Sequence, residues 1–222
     1  MQTAIDYFNQ DYYQNYPLIK ALERGFDVVR ADESGVLLVD AHPGFALLST
    51  IEPLKYLNLI SKPELMMVVG ESAGALAYSN FGFENAMCCH QYYYPFPTIE
   101  SDLELETASL GDLSFIAQHY ALADEEELRE TIENGDLWVV RDEGQILGFI
   151  GRHSEGSMGM MEVLPDYRRK GWGERLERAL IKLILSEGEL PYGHVVIGNE
   201  ASTKLQEKLG FIRCKEIITW LW

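Results

Sequence analysis

The chain is 222 residues long, 47% hydrophobic and 24% charged, an ordinary globular composition with enough apolar material for one large core or two modest domains. Its net charge of −17 argues against a nucleic-acid partner, because binding a phosphate backbone needs a clustered cationic face. Cys88, Cys89 and Cys214 make no disulfide framework by number or spacing and predict reduced, packed thiols.

In chain order, the first nineteen residues carry no Lys or Arg and are polar and aromatic, so neither a signal peptide nor a transit peptide is expected. No apolar run reaches membrane-spanning length, and the expected location is cytoplasmic. An aromatic-rich helix opens the chain. Strands follow at Phe26–Arg30, Val36–Asp40 and Phe45–Ser49, then a helix from Pro53, a strand Leu65–Val69 and a helix to Gly82. The last pair contains Gly70-Glu71-Ser72-Ala73-Gly74 after a strand, the sequence form of a hydrolase nucleophile elbow with Ser72 as nucleophile. No HGGG-type oxyanion loop precedes it, and the chain is short for that fold.

Pro95 and Pro97 interrupt the pattern, which places a boundary between residues 1–97 and 98–222. Leu103–Thr107 alternates as a strand, while Ser109–Tyr120 and Asp124–Asn134 have helical spacing. Leu137–Val140 and Gln145–Gly151 form a hairpin turning on Asp142-Glu143-Gly144. Met158–Leu164 is a strand that runs into Pro165-Asp166-Tyr167-Arg168-Arg169-Lys170-Gly171-Trp172-Gly173 and then a helix. Pro165 ends the strand, the glycines allow close backbone approach, and the helix directs its unpaired first-turn N–H groups into the turn. Such a turn holds a phosphate, and a local cationic trio in an acidic chain points to one phosphate-bearing ligand. The alternative is a solvated, self-capping helix start. After that helix come Pro191–Asn199, a β-branched strand ending in Gly-Asn, a helix to Leu209, Gly210 as C-cap, and a new strand.

These two blocks, Glu162–Gly173 and Asn199–Phe211, together resemble the GNAT superfamily of acyl-CoA-dependent N-acyltransferases, whose signature is V-x-P-x-[YF]-R-x-[RK]-G-x-G followed by a helix, a strand and N-x-x-[AS]-x-x-x-Y-x-K-x-GF. Ser157–Met161, His194 and the terminal Trp220-Leu221-Trp222 are similar to the glycine N-acyltransferase-like branch. The resemblance implies an α/β fold on a mixed sheet over residues 102–222. It also implies acetyl-CoA or another acyl-CoA as co-substrate, no metal, and a primary amine on a small molecule as acceptor. The pyrophosphate would lie on the backbone of Arg168, Arg169, Lys170, Gly171, Trp172 and Gly173, the pantetheine along the strand at Val163, and Asn199 would contact the CoA arm, although Asn199 also reads as a plain N-cap. Glu162 and His194 are the candidate general bases, each with a structural alternative. Where many relatives carry a proton-donating Tyr, this chain has Gln206. Tyr167 or Tyr192 could substitute, and an acyl-CoA binder without transferase activity stands as a second reading.

Pairing Phe83 with Phe211 sets an offset of 128 residues that aligns Gly70 with Gly198, Ala73 with Ala201 and Gly82 with Gly210. The N-terminal half is therefore expected to be a degenerate half-repeat of the same fold, with Ser72 in a helix's first turn and Gly74 incidental.

Overall fold

A computed structural model describes residues 2–40 and 44–222. The chain divides into two compact units, one of residues 1–92, 194–203 and 213–222 and one of residues 93–193 and 204–212.

The first unit opens with α1 (Gln2–Phe8) and α2 (Tyr16–Glu23), so the expected single aromatic helix is two, interrupted by a 3-10 turn at Asn9–Asp11 and restarted by Pro17 in the first turn of α2. Then come β1 (Asp27–Asp32), β2 (Gly35–Val39), β3 (Phe45–Thr50), α3 (Pro53–Leu57), β4 (Leu65–Val69), α4 (Glu71–Phe81) and β5 (Ala86–Tyr93). β1 to β3 are antiparallel neighbours, whereas β3 and β4 are parallel across α3. Leu38, Leu47 and Met67 pack with Ala4, Phe8 and Leu18 from α1 and α2. Their strand neighbours Leu37, Leu48, Met66 and Val68 pack with Tyr56, Leu57, Ala73 and Ala77 from α3 and α4. Burial on both faces is why these strands read as continuous apolar runs and do not alternate.

The second unit begins with β6, which is only Glu106–Thr107 and pairs with Val139 and Trp138. Leu103 and Leu105 do alternate in burial with Asp102 and Glu104, but they have no ladder, so the strand expected from Leu103 shrinks to its last two residues. The Ser109–Tyr120 helix starts as a 3-10 turn closed by a Ser109/Asp112 capping box and continues as α5 (Leu113–His119). α6 (Glu125–Glu133), β7 (Leu137–Asp142), β8 (Gln145–Arg152), β9 (Met158–Val163), α7 (Trp172–Ser186), β10 (Tyr192–Val196) and α8 (Glu200–Leu209) follow, residues 194–203 of this stretch belonging to the first unit. Strands β6 to β9 are antiparallel in sequence order, and β10 runs parallel to β9. Leu137, Val139, Phe149 and Met160 pack with Ile116, Leu128 and Ile132 of α5 and α6, while α7 packs on β8 and β9.

Both halves of the sequence run helix, helix, three antiparallel strands, helix, parallel strand, helix, strand. Asp27 and Leu137, which open β1 and β7, are 110 residues apart, as are Gly35 and Gln145, whereas the 128 offset holds from β4 onward. Most of the difference lies in α3, five residues long against fifteen in α7. The expected half-repeat is thus present, with its connection after the third strand cut short. The last strand, β11 (Ile212–Leu221), pairs antiparallel with β4, Ile218 opposite Val69 and Leu221 opposite Met66, which is why residues 213–222 belong to the first unit.

Candidate functional site

Strand β9 carries an irregularity. Phe149 and Gly151 of β8 face Glu162 and Gly159 of β9, so one more residue lies between the partners on β9 than on β8. The bulge sits at Met160, a buried residue with φ 48°, where a side chain is held in the left-handed region by its surroundings. Burial pushes the nearby Tyr120 phenol up to about 12. On its other side β9 pairs parallel with β10, Met158 facing Gly193.

The turn after β9 reverses through two left-handed residues, Arg169 at φ 60° and Gly171 at φ 85°. A Cβ at Gly171 would meet nothing within 4 Å, so this glycine is required by backbone conformation and the space above it is open. Among the described residues, the N–H groups of Arg169 to Glu174 donate to no acceptor; the first helical bond is from Arg175 N to Gly171 O. Six donors and the positive end of the 15-residue α7 therefore converge on one exposed turn.

The side chains of the turn have distinct partners. Arg168 folds back along β9, its Nε 2.8 Å from Val163 O and its Nη2 2.7 Å from Glu162 Oε1. Lys170 Nζ lies 5.6 Å from the Tyr167 ring, Arg175 stacks 4.2 Å over Trp172, and Arg169 is exposed without a side-chain partner among the described residues. One turn on, Glu174 takes Arg178 at 3.0 Å and Lys208 at 2.5 Å, which hold its carboxyl below the usual carboxylate range.

The residues singled out from sequence in the first unit are each engaged. His194 Nε2 lies 3.2 Å from Oε1 of the buried Gln91, and its ring meets Trp220 edge-on. Asn199 Oδ1 accepts from Ser202 N at 3.1 Å, the N-cap geometry of α8. Ser72 is exposed in the first turn of α4 and its hydroxyl has no hydrogen bond among the described residues. Gly74 is not incidental: a Cβ there would come 2.4 Å from Thr219 Oγ1, so the glycine lets α4 lie on β11. The cysteines are unpaired, Cys89 and Cys214 buried but Cys88 exposed, which corrects the expectation that all three are packed.

Residues 138–221 match the FR47-like protein family. The chain is similar in structure to a Drosophila protein (TM-score 0.64, 13% identity, 99% of this chain and 94% of the other). It is also similar to a GCN5-related N-acetyltransferase-like protein from Streptococcus suis (0.55, 17%, 98% and 96%) and to a tandem GNAT protein from the clavulanic acid biosynthesis pathway (0.51, 11%, 94% and 87%). No curated protein sequence matches significantly. The chain has the fold of these GNAT proteins.

The counterpart of the turn after β9 is Ile51-Glu52-Pro53 after β3, with no glycine and an acidic residue. The GNAT position that often holds Tyr is Gln206, buried on α8, whose Nε2 donates to Glu177 Oε1. The Tyr192 hydroxyl donates to Glu155 O at 2.6 Å. Glu177 escaped the sequence reading although it carried a signal. It falls in the apolar stripe of α7, three, four and seven residues before the buried Leu180, Ile181 and Ile184.

Proposed function

We propose that the chain is an acyl-CoA-dependent N-acyltransferase that moves an acyl group, acetyl for preference, from CoA to a primary amine of a small molecule, an amino acid such as glycine being the favoured acceptor. The observation that carries this reading is the turn at Arg169–Glu174, six undirected N–H groups on a helix N-terminus. The CoA pyrophosphate occupies the turn. Arg169 and Lys170 add charge, whereas Arg168 serves chiefly to tie the turn to Glu162 and Val163.

The amine nitrogen attacks the thioester carbonyl carbon, the C–S bond then breaks, and CoA leaves as a thiolate. A strand N–H group of β9 would meet the developing oxyanion. The amine must reach the carbonyl unprotonated, and Glu162 and His194 are the candidate bases. Glu162 would have to exchange its bond to Arg168 for the acceptor's proton. Asn199 would hold the CoA arm through the amide nitrogen that its capping role does not use. The glycine preference rests on likeness to the glycine N-acyltransferase-like branch alone.

Gln206 favours a second reading, a protein that binds acyl-CoA without transferring from it, because an amide cannot deliver a proton to the thiolate. Calorimetric titration with acetyl-CoA tests what the two readings share. The expected result is saturable binding that Gly171→Glu weakens at least a hundredfold, because the new side chain brings a negative charge and a strained φ to the phosphate turn. Wild-type protein that fails to bind at millimolar acetyl-CoA would overturn both. Given binding, free-thiol release on adding amines separates transferase from binder.

A further inference from the structure

Of the two bases open to the proposed reaction, His194 has the more ordered surroundings. It is half-buried on β10, and its Nε2 lies 3.2 Å from Oε1 of Gln91, a fully buried residue of β5 that is 103 positions away in the chain. The Gln91 amide is fixed from its other side, with Nε2 2.6 Å from Tyr13 O, 3.3 Å from Gln14 O and 3.7 Å from Cys214 Sγ. The segment carrying those two carbonyls is pinned in turn, since Glu216 N donates to Gln14 Oε1 at 2.8 Å. All of these residues belong to the first unit.

The chemistry of these atoms leaves one arrangement of protons. A backbone carbonyl only accepts, so the Gln91 atom facing two of them is the amide nitrogen, which directs its two hydrogens there. Turning the amide over would set its oxygen against two carbonyl oxygens in the interior and leave both without this donor. Burial pushes the Cys214 thiol up to about 12, so it stays neutral and sets no charge against the amide. Gln91 Oε1 is therefore the atom turned to His194, and it too only accepts. Nε2 of His194 carries a hydrogen in the neutral ring and in the imidazolium alike. The lone pair of the neutral ring is on Nδ1, and Nδ1 is the nitrogen that takes up a proton. Glu162 differs in this respect: its Oε1 is paired with Arg168 Nη2 at 2.7 Å, so taking a proton means giving up that ion pair. The contact of His194 to Gln91 survives protonation.

We propose that His194 is the base, acting through Nδ1, and that Gln91 is its positioning residue, holding the other ring nitrogen protonated and the ring in place. This rests on the acyltransferase reading and decides between its two bases. As the amine nitrogen forms its bond to the thioester carbon, it gives a proton to Nδ1. The C–S bond breaks with its electron pair on the CoA sulfur, and His194 is left as an imidazolium still donating from Nε2 to Gln91.

Nitrogen-15 spectra of histidine-labelled protein read the proton arrangement with no reaction needed, His194→Asn serving to assign the His194 signals. Wild type should show Nε2 protonated throughout and Nδ1 as the nitrogen that titrates, whereas an unconstrained imidazole samples both neutral forms. Gln91→Leu should let both forms appear. Gln91→Glu, which keeps an oxygen to accept from Nε2, should return the single form, and the wild-type and Glu spectra decide the matter even where the Leu variant does not fold. A wild-type Nδ1–H form overturns the proposal, as does Gln91→Leu with an unaltered spectrum. Thiol release from acetyl-CoA with glycine as acceptor reads the function. His194→Asn should lower kcat about a hundredfold or more. Gln91→Leu should lower it about tenfold with KM for acetyl-CoA within about twofold, and Gln91→Glu should recover most of that loss. His194→Asn at the wild-type rate overturns the proposal and leaves Glu162. Wild type that binds acetyl-CoA but releases no thiol to any amine removes the transferase reading itself, and the missing wild-type rate tells that failure from the others.

Discussion

At the residue scale, Glu177 links stability to pH. Its folded carboxyl is raised from 4.5 to about 7 by burial, so below pH 4.5 both folded and unfolded chains hold the proton and the residue costs nothing through ionisation. Between 4.5 and 7 the unfolded chain releases its proton while the folded one keeps it, and the relative stability of the fold declines until the folded group ionises too. At about 1.4 kcal/mol per unit, the full loss is about 3 kcal/mol. Urea unfolding of wild type and Glu177→Gln should therefore show the variant gaining on wild type as pH rises from 4.5 to 8, by up to that amount. Parallel curves would mean that Glu177 is not held neutral. The same residue shows what the sequence left hidden. The turn after β9 was legible because strand, proline, cations, glycines and helix are contiguous, and each acts on its neighbour. The Glu177–Gln206 pair joins positions 29 apart through the packing of two helices, and no local pattern encodes which helix faces which.

At the element scale, the connection after the third strand separates the halves. In the C-terminal half it has the glycines and a long helix with unengaged first-turn donors. In the N-terminal half five-residue α3 is anchored by polar bonds, Tyr56 and Lys55 reaching Asp32 at 2.6 and 3.2 Å and Lys55 also reaching Ser34 at 2.7 Å. Ser34, Tyr56 and Arg30 hold the Asp32 carboxyl far below its usual range. The serine motif that mimics a nucleophile elbow belongs to this half too, and packing explains its second glycine. Gly74→Ala would drive a methyl against Thr219 Oγ1 and Cβ, at 2.4 and 2.6 Å. It should cost about 1–3 kcal/mol, as overpacking commonly does, and Thr219→Gly should restore most of that. Chemical denaturation of the single and double variants reads this directly. An alanine variant as stable as wild type would show that α4 does not press on β11 there. Ser72→Ala, in contrast, should leave stability and acetyl-CoA binding unchanged.

At the scale of the whole molecule, β11 decides whether the two halves of the sequence can be separated. The boundary near Pro95 and Pro97 follows a real change of pattern, but strand pairing is chosen by register and shape over long separations, and composition does not report it. The C-terminal strand pairs with β4, and it places Ile218 and Leu221, both fully buried, in the two cores of the first unit. Residues 1–97 alone would leave β4 with an open edge and both cores without those side chains. We expect that fragment to be insoluble or, if soluble, to lack the sharp amide dispersion of a folded domain in NMR spectra. Residues 98–222 alone would keep the turn after β9 but expose the apolar side chains of β11, and should aggregate or self-associate through that strand. Adding a peptide of residues 210–222 to the refolding N-terminal fragment should restore a cooperative unfolding transition. A fragment 1–97 that folds alone with a cooperative transition would show that the first unit does not need β11, and that the chain is two independent domains and not one fold completed by its last strand.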